Sequence, residues 1–79
     1  MIFLTINKND IESKQVSQHF PLVKLVEITD PNLIEKIDSN ENLYIDWRLK
    51  TNNDALLIAQ TIRGSYKILE NKGNKYLTY

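Results

Sequence analysis

The chain has 79 residues, ten basic and ten acidic side chains, one histidine and no cysteine. That length holds a single domain over residues 1–79 and no second core. Lack of cysteine excludes disulfides, thiolate metal sites and thiol nucleophiles, and zero net charge argues against both an acidic DNA mimic and a DNA-coating protein.

Small secreted domains lean on disulfides, so a chain without them is expected in a reducing, cytoplasmic setting. The apolar opening Met1–Ile6 breaks at Asn7-Lys8-Asn9-Asp10 and has no basic flank. It reads neither as a signal peptide nor as a membrane span. Acidic residues outnumber basic ones before residue 40, and the reverse holds after it. The many Ile, Lys and Asn residues are a bias of AT-rich genomes, including those of phages and mobile elements.

Residues 1–6 read as a strand that is apolar on both faces, and therefore central in a sheet. Asp10 is a suitable N-cap for a helix over residues 11–20, whose thin apolar stripe is Ile11, Val16 and Phe20. Pro21 ends it. Leu22–Ile28 is β-rich. Asp30 and Pro31 then form a helix start, as N-cap and first helical residue, for a two-turn helix through Leu33, Ile34 and Ile37.

Leu43–Lys50 alternates apolar and polar residues, which predicts a strand with one buried and one wet face. Trp47 and Leu49 belong to the buried face with Leu43 and Ile45. Tyr44, Asp46, Arg48 and Lys50 belong to the wet one. A helix over Asp54–Arg63 carries Ala55, Ile58, Ala59 and Ile62 at helical spacing, with Leu56 and Leu57 widening the stripe. Arg63 and Gly64 mark its end. Residues 65–70 and 75–79 flank a turn at 71–74 and predict a β-hairpin. The rival reading carries the helix through Gly64 to about Leu69, against the roughly 1 kcal/mol cost of an interior glycine.

These elements predict an α+β fold: a small two-layer sandwich in which a four- to five-stranded sheet is covered by two to three helices, or else a small mixed α/β sheet. The helix over 54–63 is expected on the sheet face of Ile2, Leu4, Trp47 and Leu49.

Little in the chain points to catalysis. One histidine rules out two-imidazole metal sites within the chain, and His19 at a helix end is better explained by the helix dipole than by base chemistry. Glu35 and Asp38 lack calcium-loop spacing. Two glycines cannot build a phosphate-cradling loop. The expectation is therefore no enzyme, no cofactor and no metal.

Two surfaces remain. Tyr44, Asp46, Arg48 and Lys50 on the wet strand face form a candidate protein-binding patch, since Tyr and Arg are enriched at interface hot spots. Arg63, Tyr66, Lys67, Lys72, Lys75 and Tyr76 interleave cations with rings, as nucleic-acid contacts do. Alternatively Tyr66 and Tyr76 pack across the hairpin while the lysines guard an edge. The expected function is a small non-enzymatic module that binds another protein, of the kind phages and mobile elements use to inhibit or modulate a larger host protein. The alternative is a nucleic-acid-binding regulator. An exposed edge strand also allows a homodimer by sheet extension.

Overall fold

The structure, a computed structural model, describes every residue from Met1 to Tyr79. It is an α+β fold built on a five-stranded sheet with three helices. The elements run β1 (Ile2–Thr5), α1 (Ile11–His19), β2 (Lys24–Glu27), α2 (Leu33–Ile37), β3 (Leu43–Asp46), a 3₁₀ turn (Trp47–Leu49), α3 (Asn53–Arg63), β4 (Lys67–Lys72) and β5 (Lys75–Thr78). Strand order is β2-β1-β3-β4-β5. All neighbours are parallel except the antiparallel hairpin β4–β5. No helix is long and apolar enough to cross a membrane.

β1 is central, as its two apolar faces require, and Ile2–Thr5 are all buried. The chain steps one way along the sheet from β1 to β2, then reverses over β1 to reach β3 and β4. Parallel crossovers keep one hand, so this reversal sends the first helix to one face and the later two to the other. The packing agrees. Ile2, Leu4, Ile45 and Ile68 meet Leu33 and Ile37 of α2 and Ala55 and Ala59 of α3. Phe3 and Leu69 meet Val16 of α1 on the opposite face.

Caps and turns set the element ends. The Asp10 carboxylate accepts the Ser13 N–H at 2.9 Å and caps α1 as expected. Its buried side is Ser13 and Val16, however, while Ile11 is 76% exposed. Asp30 accepts the Asn32 N–H at 2.8 Å, so Pro31 lies in a preceding turn and α2 begins later than the Asp-Pro signal implies. Asn52 caps α3 through the Ala55 N–H at 3.0 Å. Gly64 ends α3 in the left-handed region, φ 73°, its N–H donating back to Ala59 and Gln60. The helix stops there, and the hairpin follows.

Leu43–Lys50 is not one strand. The ladder ends at Asp46, whose carboxylate accepts the Arg48 N–H at 3.0 Å and winds Trp47–Leu49 into a 3₁₀ turn. An Asp side chain bonding the backbone two residues on competes with strand pairing, and here it wins.

Candidate functional site

The sheet changes direction between β1 and β3, the place where open α/β sheets most often bind ligands, beyond the carboxyl ends of their strands. Here those ends carry Thr5 and Asp46. Asp46 is fully buried, although alternation placed it on a wet face. Arg48 folds back over it, with Nε at 3.1 Å from both carboxylate oxygens and Nη2 at 2.6 Å from Oδ2. Arg48 Nη1 reaches Asp10 Oδ2 at 2.9 Å. The Thr5 hydroxyl donates to Asp46 Oδ2 at 2.9 Å. Ser13 Oγ lies 2.9 Å from Thr5 Oγ1 and 2.8 Å from the Asn7 carbonyl, and its one proton can serve either.

The cluster therefore ties β1, β3, the 3₁₀ turn and the start of α1 into one partly buried ion-pair network. Burial alone would raise the Asp10 carboxyl. Hydrogen bonds from Arg48 and Ser13, with the Arg48 charge, outweigh it and hold Asp10 below its ordinary value. The Asp46 bonds outweigh desolvation and push the Arg48 guanidinium further up. A carboxylate whose oxygens are already engaged by a guanidinium, a hydroxyl and a backbone N–H is a poor base or metal ligand. No group of three or more His, Asp or Glu side chains converges on a metal-sized point.

The two sets of sequence-predicted residues are redistributed. Asp46 and Arg48 come together in this network, not on an open patch. Tyr44 is half-buried against the α1-side core, and Lys50 lies 5.8 Å above the half-buried Trp47 ring. Arg63 is spent on backbone: Nη1 donates to Ile37 O at 3.0 Å, and Nη2 to Glu41 O. Tyr44, Arg63, Tyr66 and Lys67 do share a cleft at the amino ends of β3 and β4. Its volume, about 190 Å³, is below the range of ordinary ligand pockets.

Tyr66 and Tyr76 sit on opposite sides of the sheet and are not cross-strand partners. Tyr76 pairs with Asn71, and its ring centroid lies 4.6 Å from His19 and 5.2 Å from Phe20. Lys72 and Lys75 are exposed and oppose each other at the hairpin tip.

The residues that sequence reasoning missed lie on the other face. Two open depressions share Ile58 as a common wall: one of about 450 Å³ lies between the start of α2 and α3, the other of about 500 Å³ between the β2–α2 connection and α3. Ile34 (54% exposed) flanks one and Leu57 (65% exposed) the other. Asp30, Glu35 and Asp54 stand among the lining residues; Asp30 is paired with Lys36 at 2.5 Å, whereas Glu35 and Asp54 make no ion pair. The one available signal was the surplus width of the α3 stripe: Leu57 lies outside what the sheet can bury.

No protein-family model, curated protein or solved structure matches this chain, so the arrangement of its own side chains is the ground for a functional reading.

Proposed function

We propose that this protein is a small cytoplasmic binding module without chemistry of its own, which captures a segment of another protein in the groove between α2 and α3. One observation carries this reading. Exposed Ile34 and Leu57 stand in adjoining solvent-open depressions on either side of Ile58, bordered by unpaired Glu35 and Asp54. Amphipathic segments dock in such grooves through apolar anchors, and an acidic border favours basic flanks on the guest. A compact module of this size suits an inhibitor or accessory subunit, as phage and mobile-element modulators of host proteins are.

The test is capture by the tagged protein from its native lysate, with and without nuclease, comparing wild type with Ile34→Lys and Leu57→Lys. Both residues are exposed, so the variants should melt close to wild type. The expected result is one stoichiometric protein that survives nuclease and is lost from both variants. Capture that vanishes with nuclease and ignores both substitutions overturns the groove reading.

A second reading, contact with nucleic acid, is favoured by one feature: Lys72 and Lys75 face each other with no counter-ion. Phosphate would relieve that repulsion. If Lys67, Lys72 and Lys75 each neutralise one phosphate, affinity falls about 40-fold over a fourfold rise in salt. An apolar groove should lose far less.

A further inference from the structure

We propose that β5 pairs antiparallel with β5 of a second copy about a two-fold axis at Leu77, extending the sheet across the dimer. This surface is separate from the α2–α3 groove.

The backbone decides which groups are available. Ile68 and Tyr79 exchange both hydrogen bonds, N to O at 2.7 and 3.1 Å. Antiparallel ladders alternate bonded and non-bonded pairs, so Glu70–Leu77 and Lys72–Lys75 are also bonded pairs. Tyr76 and Thr78 then turn their N–H and C=O groups away from β4. β5 is the last strand in the sheet, so those groups point into solvent. A two-fold axis at Leu77 sets Tyr76 opposite the partner's Thr78 and Thr78 opposite the partner's Tyr76. Every outward N–H and C=O of those residues gains a partner. Axes at Tyr76 or Thr78 pair fewer of them.

Side chains fit the same register. Leu77, 44% exposed, meets the partner's Leu77 as a non-bonded pair, the closer of the two spacings. Lys75 lies opposite the partner's Tyr79. That ring is 58% exposed, and its hydroxyl is held 3.1 Å from a Glu70 carboxylate oxygen, so the lysine meets an aromatic face with an acid at its end. No like charges oppose one another across the new ladder. The other sheet edge differs. β2 has Lys24 and Glu27 at its ends, and Lys24 is paired 2.6 Å from Glu41. Such charges guard an edge against pairing.

The experiment combines mass with register. Sedimentation equilibrium of the full chain over a concentration series should show a shift from 9.3 kDa toward twice that value. Thr78→Pro removes an outward N–H while leaving every bond to β4 intact, and should abolish the shift. Because the chain lacks cysteine, Leu77→Cys introduces a single thiol at the axis. Its Cα atoms would lie about 4.5 Å apart, within disulfide range. Under mild oxidation it should form a covalent dimer much faster than Tyr79→Cys, whose thiols would be roughly 13 Å apart along the strands. A mass of 9.3 kDa at the highest soluble concentration overturns the proposal. So does a dimer in which Leu77→Cys cross-links no faster than Tyr79→Cys. Should Thr78→Pro fail to fold, the cysteine pair still decides.

Discussion

Asp46 shows how far one side chain can redirect the fold. It ends β3, starts the 3₁₀ turn and neutralises Arg48, all with one buried carboxylate. Asp46→Ala leaves Arg48 with Asp10 alone and the Thr5 hydroxyl without its acceptor. Because Arg48 is part-exposed and keeps Asp10, the loss should be about 1–3 kcal/mol, still a large share of the stability of a domain this small. Urea denaturation of the variant should show that loss, or no folded baseline at all. Arg48 is equally committed, so charge reversal there reports on folding before it reports on any partner.

Asp10 supplies a pH test on the same network. Its carboxyl lies below its ordinary value of 3.8 in the folded state, so it stabilises the fold above that pH. The contribution is lost as pH falls through the depressed folded-state value. The stability difference between wild type and Asp10→Asn should therefore be full at pH 7 and shrink steadily below about pH 4. A difference that stays constant into strong acid would mean that the ion pair with Arg48 contributes nothing. Asp30 and Glu41 are depressed as well, by bonds from Lys36 and Lys24 respectively. They add to acid sensitivity in the same direction.

Among the elements, the hairpin was the most legible. Gly64 ends α3 at φ 73°, as its position predicted, whereas the turn expected over residues 71–74 narrows to Gly73-Asn74, with φ 59° and 66°, because β4 runs on to Lys72. Two successive positive-φ residues make a type I′ turn, which matches the twist of paired strands. Its bounding pair is the costly part. Lys72 and Lys75 stand directly opposite, and like charges so placed destabilise a ladder. Lys72→Glu should raise stability by about 0.2–1 kcal/mol in thermal melts, by giving Lys75 an opposite charge. A lowered melt would show that the lysines are held apart by twist.

The strand over residues 43–50 was misread because the alternation of residue types runs on past Asp46 while the alternation of burial does not, a 3₁₀ turn repeating every three residues. Leu49 stays buried, with Ile45, after the ladder has ended. Trp47 does pack against the core but stays half-buried, with Lys50 over its outer ring face. Ser13 was equally opaque. Its burial follows from the Thr5 hydroxyl beneath it, a contact between positions eight residues apart that no helical period encodes.

For the whole molecule, the sequence by itself determined the inventory: three helices, a five-stranded sheet with β1 inside it, and a terminal hairpin. Caps, glycines and apolar runs are local, and their physics acts within a few residues. Only the tertiary structure decided the faces. The reversal at β1 put α1 opposite α2 and α3, and brought Thr5 and Asp10 to the local Asp46–Arg48 pair, making a network of what alternation read as a wet patch. It also set Ile34 and Leu57 in adjoining depressions on either side of Ile58. Thr5 and Asp46, like Asp10 and Arg48, lie 41 and 38 residues apart in the chain, and nothing in local propensity specifies which side chains a crossover brings into contact.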